Sequence, residues 1–160
     1  MYQIGDKVVY PLYGAGVIEA IEDKDIDGEI QTYYVLNIPV GNLKIMISSA
    51  KAETHKVRAV LPHAEIINIL NKTMSINVDM PDNWNQRYKE NMERIKSGDL
   101  PQVSVVFHNL LLREREKGLS TAEKKMMTTA KQIILSELIL SLDVEREEAE
   151  EILDKAFIAK

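Results

Sequence analysis

Leu61-Pro62-His63-Ala64-Glu65-Ile66-Ile67-Asn68-Ile69-Leu70 is the stretch where the pattern of this chain changes. Before it, short β-branched and aromatic runs follow one another: Lys7-Val8-Val9-Tyr10, Gly16-Val17-Ile18-Glu19-Ala20-Ile21, Tyr33-Tyr34-Val35-Leu36-Asn37-Ile38 and Leu43-Lys44-Ile45-Met46-Ile47. Pro11 with Gly14 and Gly16, Asp27-Gly28, and Gly41-Asn42 separate them with the tight-turn chemistry that folds successive strands back as hairpins. About five short strands with no helix in this half to cover a flat sheet imply closure into a small antiparallel SH3-like or Tudor-like barrel, which removes exposed edges.

Beyond Leu61 the apolar residues recur at helical spacing, and four to five helices are expected. Pro62 starts a short one through Leu70; Asp82 or Asn83 caps one that Gly98 stops after Ser97; Asp99 caps the next, which ends at Gly118. Ser120-Thr121-Ala122-Glu123 matches a capping box, and the helix behind it carries a core stripe of Met126, Met127, Ala130, Ile133, Ile134, Leu138 and Leu142. Asp143 is read as opening a final acidic helix with Leu153, Phe157 and Ile158 inside, and Asn71 to Asp82 as a connector. The class is α+β in two domains, a barrel over residues 1–60 and a compact all-α domain over residues 61–160.

Composition narrows the function. With 160 residues, 45% hydrophobic and 28% charged, the chain reads as an ordinary globular protein. No apolar run approaches the roughly 18 to 20 residues of a membrane helix, so no membrane role and a cytoplasmic location are expected. Zero cysteines leave no disulfide and no thiolate site. His55, His63 and His108 lack metal-ligand spacing, and the carboxylates Asp23, Asp25, Asp27 and Glu29 lack the EF-hand pattern. Gly14-Ala15-Gly16 is followed by no phosphate-loop lysine and reads as a hairpin turn. No nucleophile elbow or catalytic spacing appears. The expectation is therefore a non-enzyme with no cofactor, no metal and no small-molecule substrate.

Charge is segregated along the chain. From Trp84 to Lys131 there are ten Lys and Arg against six Asp and Glu, net +4 within a chain of net −5, whereas residues 1–70 hold six basic and nine acidic side chains. A local cationic field attracts phosphate whatever the total charge, because screening confines each charge to about 8 Å in physiological salt. The basic region opens with the one tryptophan, in Pro81-Asp82-Asn83-Trp84-Asn85-Gln86-Arg87-Tyr88-Lys89. A lone Trp at a helix start most often packs inward, but polar neighbours leave this one no apolar pocket. An apolar wedge among cations suits insertion at a base step from the minor groove.

The same residues carry a family resemblance. Ile4-Gly5-Asp6-Lys7-Val8-Val9-Tyr10-Pro11 with Gly14, then Asn83-Trp84 with Arg87-Tyr88-Lys89, Ser97-Gly98-Asp99, and Gly118-Leu119-Ser120 with Glu123-Lys124, resemble the CarD/CdnL family of bacterial transcription regulators over essentially the whole chain. That resemblance implies a Tudor-like domain docking on the RNA polymerase β subunit and a helical domain touching promoter DNA at the upstream edge of the transcription bubble. The same barrel occurs in the transcription-repair coupling factor, whose ATPase motor this chain lacks. By resemblance Trp84 is the wedge, Arg87, Lys89 and Lys124 face DNA with Lys125 as neighbour, and Lys24 with the strand Leu43, Ile45, Met46, Ile47 meets the polymerase. Met46 stands where some relatives have an arginine, and Gln86 replaces a basic residue. The rival reading is a protein-only adaptor that docks through the barrel and keeps Trp84 in its core.

Overall fold

Asp27 and Gly28 take φ of 53° and 86°, the paired positive values that a two-residue hairpin with the right twist requires. They join β2 (Gly14–Ile26) to β3 (Glu29–Ile38), the longest pair in a five-stranded antiparallel sheet. The others are β1 (Lys7–Tyr10), β4 (Leu43–Ser48) and β5 (Arg58–Ala59), in spatial order β4-β3-β2-β1-β5. This computed structural model describes residues 1–75 and 80–158.

The sheet does not close into a barrel: β4 and β5 are its two edges and do not pair. The expectation of closure assumed that no helix covers the sheet, and a helix from the second half does. Val9, Ala15 and Leu140 form a small cluster, flanked by Val17 and Val60, where the sheet rests on α4 (Thr121–Leu142). Val8, Ile18, Tyr34, Leu36, Ile38 and Ile47 make a separate core on the other face. Gly14, Ala15 and Gly16 belong to β2 rather than to a turn. Gly14, with φ of 114°, lets β2 touch α4, for a Cβ there would stand 2.7 Å from Ser136 Oγ.

Among the described residues five helices follow: α1 (His63–Ser75), α2 (Trp84–Lys96), α3 (Leu100–Glu116), α4 and α5 (Arg146–Ile158). Ile66, Ile95, Val106, Leu110, Ile134 and Leu153 form the centre of their shared core, each at most 1% exposed. Helix α1 runs five residues past Leu70, into the stretch read as a connector, and buried Thr73 bonds back to Ile69 O at 2.8 Å; residues 76–79 of that stretch lie outside the described residues. Asp143 ends α4 in the left-handed conformation (φ 56°, ψ 51°) instead of opening α5, a geometry that a short Asp side chain tolerates. Leu153 and Phe157 are buried on α5 as expected, while the Ile158 side chain lies outside the described part. Among the described residues no helix is long and apolar enough to cross a membrane, and no group of three or more His, Asp or Glu could hold a metal ion.

Candidate functional site

Asn83 caps α2 by accepting the Gln86 N–H at 3.0 Å, and this places Trp84 as the first helical residue. The indole is 42% exposed. It is nonetheless held: its N–H donates to Ser120 Oγ at 3.1 Å, and its ring stacks on Tyr88 with centroids 5.2 Å apart and planes 18° apart. Trp84 and Tyr88 are four residues apart, so one helix face presents both rings. A large apolar ring left half in water but fixed on two sides is preorganised for a planar partner.

Arg87 departs from the expected DNA-facing position. It is 3% exposed and forms a two-pronged ion pair with equally buried Glu123, Nε to Oε2 at 2.8 Å and Nη2 to Oε1 at 3.2 Å. Its Nη1 donates to Pro81 O and Asp82 O at 3.2 and 3.0 Å, tying down the chain that leads into Trp84. The guanidinium has no open face for a phosphate; its role is to fasten the start of α2 to the start of α4. The hydrogen bond from Arg87 holds the Glu123 carboxyl below the usual carboxylate range, against the opposing effect of burial, and the Ser120 hydroxyl and backbone add to it. The same bond raises the Arg87 guanidinium further. Ser120 Oγ also accepts the Glu123 N–H at 3.2 Å, so the capping box is built as expected. The box has a second use that its four-residue pattern does not signal: Ser120 accepts from the indole, and Glu123 holds Arg87, which ties down the chain entering Trp84.

Lys89, Lys124 and Lys125 are exposed. Lys124 lies one turn beyond Ser120, and its backbone N–H bonds to Ser120 O at 2.9 Å. Lys125 lines a groove of about 440 Å³ beside the stacked rings, with Leu12, Tyr88, Met92, Ala122 and Met126 on its other walls. Lys89 follows Tyr88, about 100° further round α2. Three exposed lysines thus lie on the two helices that hold the indole, Lys89 on α2 and Lys124 and Lys125 on α4.

The residues expected at the docking edge divide by strand register. β4 pairs only with β3, so its outer side carries unpaired backbone N–H and C=O groups. Lys24 and Met46 meet on the outer face, Nζ to Sδ 3.5 Å, although they are 22 residues apart in sequence. Leu43 and Met46 are each 40% exposed, Ile45 is half-buried, and Ile47 is 3% exposed within the β core. Alternation along the strand puts Met46 on the outer face and Ile45 and Ile47 on the inner one, where Ile47 shares a face with Leu36 and Tyr34 and cannot meet a partner without unpacking that core; Leu43 falls in the inner-face register and is exposed as the first residue of the strand. Lys44 pairs with Glu19 at 3.0 Å on the surface.

Comparison with known proteins finds matches over both halves of the chain. Residues 2–61 match the family model described as the CarD-like/TRCF RID domain, and residues 65–154 match the one described as CarD, C-terminal domain. A Bacillus subtilis (strain 168) protein named "Putative transcription factor YdeB" is 38% identical over 138 residues, covering 86% of this chain and 90% of that protein.

Proposed function

This chain belongs to the CarD-like family, and on that premise we propose that it is a non-enzymatic transcription regulator that docks on the RNA polymerase β subunit and contacts promoter DNA at the upstream edge of the bubble. A transcription-related role involving RNA polymerase comes with the family. The finer reading rests above all on one observation, a tryptophan 42% exposed yet fixed by a hydrogen bond and a ring stack beside exposed lysines. An adaptor with Trp84 in its core draws no support from that arrangement.

The mechanism is a shift of population without chemistry. The indole stacks on a base only when the upstream fork is unpaired, so its contact energy belongs to the open complex alone and favours it by that amount. Lys89, Lys124 and Lys125 hold phosphates and set register without reading sequence. Docking brings this wedge to the promoter: the free edge of β4 pairs with a strand of the partner, and Leu43, Met46 and Lys24 supply side-chain contacts.

The test is the lifetime of open promoter complexes, challenged with competitor, with and without this protein. The protein is expected to lengthen that lifetime and Trp84→Ala to abolish most of the gain. Tight binding to polymerase with an unchanged lifetime on every promoter sinks the reading in favour of the protein-only adaptor.

A further inference from the structure

Helix α4 carries a buried glutamate near each end, and each is held by an arginine from a different part of the molecule. Glu123 is 2% exposed and grips Arg87 of α2; Glu137 is 0% exposed and accepts from Arg58 of β5, Nη1 at 2.7 Å and Nη2 at 2.8 Å. Glu137 also accepts the Leu61 N–H at 2.9 Å, and Arg58 Nε donates to Gly98 O at 2.9 Å, so the fork and the carboxylate are both filled. Around this pair Ser136 Oγ accepts the Ala15 N–H at 2.8 Å and Lys7 Nζ donates to Leu140 O at 2.8 Å. The apolar contact between the two halves consists of the Val9, Ala15 and Leu140 cluster and of Leu12 against the helical core, and these directional bonds add a fixed geometry to it. Domains with small mutual interfaces ordinarily move against each other. A buried carboxylate with three donors has one seating, since any shift leaves a charge unpaired.

Fourteen residues separate the two glutamates, roughly 21 Å along the helix and about 40° apart around it. We propose that α4 is a strut, with Glu123 and Glu137 as positioning residues that hold the Trp84 wedge at one distance and angle from the β4 docking edge. This deepens the proposed function and rests on it. Polymerase docking then delivers the indole already aimed, because rigid linkage of two contacts raises the effective concentration of the second. A loosened joint retains both binding surfaces but not their alignment.

The experiment uses the full chain, which has no native cysteine. Glu53→Cys and Glu147→Cys, both at exposed positions in different halves, carry spin labels for a distance distribution. Glu137→Gln and Arg58→Lys are compared with Leu153→Ala, a core change away from both arginine pairs with its own loss of Tm. The two joint variants are expected to broaden the distribution, to leave affinity for the β subunit unchanged, and to shorten open-complex lifetime roughly tenfold, a part of the roughly 100-fold or more that tethering contributes. Leu153→Ala is expected to leave distribution and lifetime intact below its Tm. A distribution that stays narrow in both joint variants, or a lifetime no shorter than that of Leu153→Ala, overturns the strut. Should Glu137→Gln not fold, Arg58→Lys, at a partly exposed site, decides alone. Trp84→Ala without effect in the same assay would instead show that the DNA reading itself has failed, and the strut with it.

Discussion

The two arginine–glutamate pairs on α4 have the same chemistry in different surroundings. Arg87 and Glu123 are each 3% exposed at the side chain, whereas Arg58 is 26% exposed against a Glu137 at 1%. Loss of one partner in the closed pair strands a charge in the interior. In the half-open pair a released Arg58 can turn to water, though a released Glu137 cannot. The first pair therefore belongs to the stability of the helical domain and the second to the joint between halves. Burial of the cation, not bond length, separates them.

The largest expected effect tests that division. Arg87→Ala or Glu123→Ala should lower stability by about 3–5 kcal/mol, the usual consequence of leaving one member of a buried pair alone. Thermal and urea unfolding measure it. Because the Glu123 pKa is lowered on folding, the pair contributes stability at neutral pH that is lost as pH falls through the carboxylate range towards the folded value. Glu123→Gln should flatten this acid limb. An acid limb as steep in the variant as in the wild type would assign acid sensitivity to other carboxylates.

Arg87 also shows where local sequence stops being informative. Its partner is 36 residues away, and a basic residue three positions after an exposed tryptophan looks like every other cation of that helix. Glu137 was equally invisible, embedded in the stripe that runs from Met126 to Leu138. Caps were legible because their chemistry is contained within four residues: Asn83, Ser120 and Gly98 all sit at helix ends. The open sheet was not, because the cover over it is Leu140, more than a hundred residues from Val9 and Ala15. Exposure of Trp84 followed from its polar neighbours, while the brace that fixes it required Ser120 from another helix.

Next in size is Trp84 itself, which contrasts a fixed but exposed ring with the buried aromatics of the core. Trp84→Ala should cost about 1–3 kcal/mol of open-complex stability, the scale of base stacking on an aromatic platform. The same change should lower folding stability by less than the ~3–5 kcal/mol of a core aromatic such as Phe107, since much of the indole is already in water. A fall in Tm matching that of Phe107→Ala, with open-complex lifetime preserved, would return the ring to the core reading.

A smaller change separates the two faces of β4. Met46→Glu and Lys24→Glu alter the exposed face and should weaken binding to the β subunit severalfold with little change in Tm. Ile47→Ala, on the buried face, should do the reverse and lose about 2–5 kcal/mol of stability. Pull-downs with the isolated β subunit and paired melting curves distinguish them. Equal loss of binding from Met46→Glu and Ile47→Ala at matched stability would place the docking surface elsewhere on the sheet.

The smallest expected effect concerns the exposed lysines, and it sharpens the contrast between a buried cation and free ones. Lys89, Lys124 and Lys125 are solvated, so replacing any one by Glu should leave Tm nearly unchanged. Removing one lysine–phosphate pairing should reduce the slope of log affinity against log salt concentration by about 0.9 on duplex DNA, because one fewer counterion is released. The weakening should be similar on different promoters, since phosphate contacts position the protein without reading bases. Arg87 is predicted to behave oppositely: a conservative Arg87→Lys should cost Tm, through loss of the two-pronged pair, and leave the salt slope of the surviving folded protein as it was. Titrations of the protein with polymerase and promoter at several salt concentrations measure both quantities. A salt slope that falls in Arg87→Lys and stays constant in Lys124→Glu would reverse the assignment, making the buried guanidinium the phosphate contact after rearrangement and the surface lysines bystanders.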